Sequence, residues 1–227
     1  MMKRYEWLLF DLDHTLLDTD TAERLALEKI FKTVTDDVTE EMVAVYKDIN
    51  RKLWKMLEQG EIESETIKYK RFEDWLTHYG MDGDPKTIGY AYLDALSEGS
   101  QLFEGALELV EKLSKKYRLA VITNGIVHVQ KPRLEASGLK PYFKKLFISE
   151  EIGVSKPAVE FFDIVLKGIG AKKEECLVIG DSMSSDIKGG LDSLIDTCHM
   201  NFHHKKEAPY ASTYTACSYQ ELLELLE

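Results

Sequence analysis

The sequence predicts an α/β fold, a doubly wound parallel sheet carrying one inserted all-helical domain, and three observations predict it. Short apolar runs recur along the chain, helical patterns lie between them, and a long segment after the first run has helical periodicity alone. The first run, Tyr5–Phe10, ends in polar residues and reads as a buried strand that delivers Asp11 to the carboxyl edge of the sheet. Leu119–Ile122, Lys145–Ile148, Cys176–Ile179 and Thr197–Met200 repeat the pattern, with helices expected at Ala106–Lys115, Val129–Ser137 and Val159–Gly168. Such alternation implies a parallel sheet covered on both faces, and ligands of such sheets bind beyond the strands' carboxyl ends.

Residues 17–100 break that rhythm. Met42, Val45, Tyr46, Ile49, Leu53, Met56 and Leu57 follow helical spacing, as do Phe72, Trp75, Leu76 and Tyr79. The expected organisation is therefore a core of residues 1–16 and 101–227 and a helical cap domain of residues 17–100. Trp54 and Trp75 at helical spacing suit first the interior of a helix bundle, where such aromatics usually pack, and second a surface on which a ring stacks.

A chain of 227 residues with 44% hydrophobic composition can bury a sizeable core without disulfides. Its formal net charge of -11 and its lack of Lys/Arg runs argue against a nucleic acid polymer or a membrane as partner. Cys176, Cys198 and Cys217 form no CxxC pair and are odd in number, which fits neither a zinc knuckle nor a complete disulfide framework and points to a reduced, cytoplasmic setting. The apolar stretch Trp7–Phe10 is too short for a signal segment, and no membrane-length apolar run follows.

Four elements carry chemistry. Asp11-Leu12-Asp13-His14-Thr15 places alternate carboxylates at a strand exit, where one can attack an electrophile while the other handles protons; a turn or helix cap is the local alternative. Ile122-Thr123-Asn124-Gly125 offers a hydroxyl, an amide and backbone N–H groups to phosphate oxygens, though these residues also suit an ordinary turn. In Lys156-Pro157 the proline biases the lysine toward an extended backbone, and the ammonium can neutralise Asp11 and phosphoryl oxygens. Gly180-Asp181-Ser182-Met183-Ser184-Ser185-Asp186 sets two carboxylates beyond a strand, with Gly180 allowing close approach; such oxygen ligands suit magnesium. An Asn-Phe-His-His stretch ends in His203 and His204, but no third ligand accompanies the pair.

Each element is weak alone, yet all four sit at the carboxyl end of an expected strand. In this joint pattern the chain resembles the haloacid dehalogenase superfamily, whose signature is DxDxT, a Ser or Thr, a Lys and an acidic GDxxxxD-type motif, here Asp11–Thr15, Thr123, Lys156, and Asp181 with Asp186. The resemblance implies a Rossmann-like core with an inserted C1 cap. Asn50–Trp54, Arg71–Trp75, Arg133–Glu135, Ile148–Gly153 and Asn201–His204 are further similar to YjjG-type pyrimidine 5'-nucleotidases. What this implies is a Mg2+-dependent phosphohydrolase acting on a small-molecule phosphomonoester, a pyrimidine nucleoside 5'-monophosphate, as a monomer or weak homodimer. Asp11 would be the nucleophile and Asp13 the acid and base. Thr123, Asn124, Gly125 and Lys156 would hold the phosphate, with Trp54, Arg71 and Trp75 as candidate base or sugar contacts. Asp11, Asp13 through its carbonyl, and Asp181 would hold the ion, with Asp186 orienting Lys156 or a water of the ion. A sugar-phosphate phosphatase or phosphomutase shares the core motifs, a 2-haloacid dehalogenase needs no acid at Asp13, and an inactive binding relative would not need every catalytic position filled.

Overall fold

The computed structural model describes residues 5–204 and 209–227. The chain divides into two compact units: one holds the described residues up to Asp18, Leu102–Val127 and those from Leu134 onward; the other holds Thr19–Gln101 with His128–Arg133.

The first unit is built on six strands, β1 Trp7–Phe10, β2 Arg118–Thr123, β3 Phe143–Ile148, β4 Cys176–Gly180, β5 Asp196–Met200 and β6 Tyr214–Ala216, all parallel, in the order β3-β2-β1-β4-β5-β6. The chain moves outward from β1 through β2 to β3 and then returns to the other side of β1 as β4. The order therefore reverses between β1 and β4, where open parallel sheets form their ligand crevice. The expected strands are all present. The sixth, β6, is missing from the sequence reading because three residues at a sheet edge carry too little periodicity to register.

The second unit contains α1 Thr19–Phe31, α2 Glu40–Glu58, α3 Ser64–Tyr79 and α4 Pro85–Ser97, with no strand among its described residues. Local signals set the helix ends. Thr39 Oγ1 accepts from Met42 N, Asp84 accepts from Lys86 N and Thr87 N ahead of Pro85, and Gly80 closes α3 at φ 61°. The interior is aromatic: Phe31 stacks on Trp75 at 4.2 Å between centroids, and Tyr46, Phe72 and Tyr92 pack around one another.

Around the sheet lie α5 Ala106–Ser114, α6 Val127–Ala136, α7 Ser149–Ile152, α8 Val159–Ile169, α9 Lys188–Asp192 and α10 Tyr219–Leu226. Because alternate strand residues point to opposite faces, Leu8, Phe10, Val121 and Ile179 join Leu109, Val110 and Leu222 on one side. Trp7, Leu9, Ile122 and Val178 join Phe161, Phe162 and Val165 on the other. Burying each such side chain contributes about 1.5–3 kcal/mol, so both faces are strongly specified. The middle of α6 groups with the helical unit: Arg133, 1% exposed, donates from Nε to Gly99 O and from Nη2 to Thr19 Oγ1, and His128 meets Asp94 at 2.6 Å. The sequence reading assigns those residues to the core because nothing local betrays where a buried guanidinium finds its acceptors. Among the described residues no helix is long and apolar enough to cross a membrane.

Candidate active site

Asp11 follows β1 directly, is buried, and extends the strand ladder by donating its N–H to Ile179 O at 2.9 Å. The chain then turns tightly. The amides of Thr15, Leu16 and Leu17 all donate to Leu12 O, and His14 adopts φ 59° to let them do so. This loop sets Asp13 at a partly exposed position and buries Thr15, whose Oγ1 accepts from Asp181 N at 3.1 Å and lies 3.4 Å from Asp181 Oδ1.

At the end of β2, Thr123 is buried and its Oγ1 accepts from Gly125 N at 3.0 Å. Asn124 takes a structural part: its Oδ1 accepts from Lys156 N and its Nδ2 donates to Lys156 O, at 2.9 and 2.8 Å. The lysine backbone is clamped on both sides, and the Lys156–Pro157 peptide is cis. From there the 1%-exposed Lys156 reaches three oxygens with Nζ: Asp11 Oδ1 at 2.7 Å, Asp186 Oδ1 at 2.7 Å and Ile122 O at 2.8 Å.

From Gly180, the last residue of β4, the chain passes Asp181 into a π-helical turn, Met183–Ile187, whose N-cap Ser182 accepts from Ser185 N. The turn brings Asp186 back beneath Gly180, where its Oδ2 accepts from Ser182 N at 3.1 Å. Oxygens of Asp11, Asp181 and Asp186 thus lie within 4.8 Å of one another.

Three carboxylates and one lysine leave an excess of negative charge in a buried space. Burial, against the opposing pull of Lys156 and with Asp186, Asp181 and Asp13 adding to it, raises Asp11 well above the usual carboxylate range. Asp181 is pushed up to about 6 by burial and then by Asp186. Lys156 is disfavoured as a cation by its burial, but Asp11 and Asp186 outweigh that and raise it. An all-oxygen set short of positive charge fits a hard divalent cation, and magnesium takes a few carboxylates while keeping waters.

The sequence-derived residues of the sheet unit thus converge: Asp11, Thr123, Lys156, Asp181 and Asp186 share one locus, with Asp13, Asn124 and Gly125 on the turns that frame it. Trp54, Arg71 and Trp75 belong to the helical unit. Trp54 is half-buried on α2, whereas Trp75 is buried and donates Nε1 to Met42 O. Arg71, 2% exposed, donates to Ile67 O, Tyr46 Oη and Asn50 Oδ1 and lies over the Tyr92 ring. His203 and His204 are exposed. Sequence reading misses Tyr219, whose hydroxyl donates to Thr15 O at 2.7 Å and so ties α10 to the nucleophile loop. A signal was available: Ser218 and Glu221 form an S-x-x-E cap before Leu222, with Glu221 N on Ser218 Oγ and Cys217 N on Glu221 Oε2. Glu150, which accepts from Val127 N at the start of α6, carries no such signal.

The haloacid dehalogenase-like hydrolase family model matches residues 8–200. The chain belongs to this family. Its curated relatives include the pyrimidine 5'-nucleotidase PynA of Streptococcus pneumoniae, 40% identical over 98% of this chain and 95% of that protein. The pyrimidine 5'-nucleotidase YjjG of Escherichia coli is 33% identical over 98% of each chain. Among solved structures, the magnesium-bound HAD-hydrolase YfnB of Bacillus subtilis superimposes with a TM-score of 0.92 at 40% identity, covering 99% of both chains. The family relation accounts for the shared architecture, and the protein is an enzyme of the hydrolase class that this family comprises.

Proposed function

We propose that this haloacid dehalogenase-like hydrolase removes phosphate from nucleoside 5'-monophosphates, pyrimidine ones in particular, through an aspartyl-phosphate. The observation that carries the reading is the buried Asp11 carboxylate 2.7 Å from Lys156 Nζ, with a second carboxylate, Asp13, two residues on. The names of PynA and YjjG support the substrate class.

Asp11 Oδ attacks phosphorus as the bond from phosphorus to the 5'-oxygen breaks, and Asp13, protonated when substrate binds, gives its proton to that leaving oxygen. Asp13 then takes a proton from water as the water oxygen attacks phosphorus, and cleavage of the bond to Asp11 releases inorganic phosphate. Lys156 and the Thr123 hydroxyl, with the N–H groups of the Asn124–Gly125 turn, stabilise charge on the equatorial oxygens. Asp11, Asp181 and Asp186, with the Asp13 carbonyl, are the proposed Mg2+ ligands; the bound ion offsets the repulsion between a carboxylate nucleophile and a phosphate dianion. The free, largely buried cysteines and the acidic surface support a cytoplasmic setting.

The test is a phosphate-release screen with magnesium over pyrimidine and purine nucleoside monophosphates and sugar phosphates. Highest kcat/KM on a pyrimidine nucleotide is expected. Highest kcat/KM on a sugar phosphate overturns the nucleotidase reading, and isomerised sugar phosphate without free phosphate overturns the hydrolytic one.

A further inference from the structure

The motif around Asp181 contains three residues that the chemistry leaves unused, Ser182, Met183 and Ser184. They do not simply face solvent. Together with Asp181, His199 and Tyr210 they line a cavity of about 410 Å³ within the sheet unit. Asp181 is a wall of this cavity and a member of the carboxylate cluster, so the cavity adjoins the reaction centre. Its size falls in the range of pockets that enclose a small organic ligand.

The lining defines the ligand's chemistry. Tyr210, 38% exposed, offers a ring, and Met183 a polarisable thioether. Ser182 and Ser184, whose hydroxyls lie 3.3 Å apart, and the buried His199 at the end of β5 add polar atoms suited to a ligand with both donors and acceptors. Asp181 is the acid among these lining residues, and among the described ones none is Lys or Arg. No such cation stands among these described side chains to hold a further anionic group, whereas a flat, uncharged heterocycle finds a ring to stack on and hydroxyls to pair with.

We propose that this cavity is a specificity pocket for the uncharged nucleoside portion of the substrate, with Tyr210 as its stacking surface. The sheet unit then selects substrate as well as cleaving it, a part that the sequence alone assigns to the helical cap. The inference rests on the nucleotidase reading, and the experiment separates the two. The kcat/KM for uridine 5'-monophosphate is divided by that for methyl phosphate, which has no nucleoside to stack. In Tyr210→Ala this ratio is expected to fall about 10-fold, the size of one stacking contact. Tyr210→Phe, which keeps the ring, is expected to retain the wild-type ratio. A Tyr210→Ala enzyme that keeps the wild-type preference overturns the pocket and leaves the nucleotidase reading standing. Wild-type enzyme that cleaves methyl phosphate but not uridine 5'-monophosphate overturns both.

Discussion

A Cβ placed on Gly180 would lie 2.2 Å from Asp186 Oδ2 and 2.4 Å from its Cγ, so the glycine is the space that the acid occupies. Asp186 has no room to retreat, being fully buried and held by Lys156 and by Ser182 N. Gly180→Ala should therefore displace it and with it the Lys156 ammonium. Overpacking of this kind costs about 1–3 kcal/mol of stability, while misplacing a reacting group by about 1 Å can cost around 10²-fold in rate. Thermal denaturation and kcat measured on the same preparation should show a modest loss of Tm and a disproportionate loss of turnover. Equal kcat in the two proteins would refute the packing argument.

Lys156→Ala removes the cation that Asp11 and Asp186 share. Leaving a buried charge unpaired costs about 3–5 kcal/mol. Denaturant unfolding with and without magnesium is the measurement, and the variant's deficit should be larger in the metal-free protein because a divalent ion supplies part of the missing charge. A deficit that magnesium leaves unchanged would argue that the ion does not sit among these carboxylates.

Asp13→Asn keeps the shape of the loop after β1 and abolishes its proton transfer. General acid catalysis contributes about 10²–10⁴-fold, and it matters most when the departing oxygen is a poor leaving group. The variant should lose far more activity on a nucleoside monophosphate than on p-nitrophenyl phosphate, whose phenolate leaves unaided. Parallel losses on the two substrates would assign Asp13 another role.

The raised Asp181 has a pH consequence. From the ordinary carboxylate range, about 4, up to the folded-state value of about 6, the folded chain keeps a proton that the unfolded chain has lost. Stability from this group is complete below that window and declines as pH rises through it. In chelator-treated protein the unfolding free energy of wild type, relative to Asp181→Asn, should fall from pH 4 to about 6 and level off above. Adding magnesium should reverse the trend, since the ion prefers the ionised carboxylate. A flat difference across that range would contradict the burial-driven shift.

Much of the fold was legible because its determinants are local. The run Trp7–Phe10 is buried at every position, as an uninterrupted apolar strand must be in a doubly covered sheet. The periodicity of 17–100 yielded four helices for the same reason, since a helix repeats its buried face every turn. The contacts of Arg133 and Tyr219 stayed illegible, because the acceptors Gly99 O and Thr15 O are backbone atoms that leave no mark in residue type, even though the S-x-x-E cap marks where α10 starts. Asn124 was legible as a turn residue, but not as the clamp on Lys156, 32 positions away.

By itself the sequence determined the α/β class, and it marked the acids, the hydroxyl and the lysine as candidates from patterns within a few residues, although Lys156 stands beyond α7 and not at the end of β3 itself. Only the tertiary structure decided that Lys156 bridges Asp11, 145 residues earlier, to Asp186, 30 residues later, that Gly180 makes room for the latter, and that Ser184, His199 and Tyr210 wall one cavity. The physical reason is that strand order brings distant segments to one sheet edge, and strand order is fixed by the packing of whole faces, which no local pattern encodes.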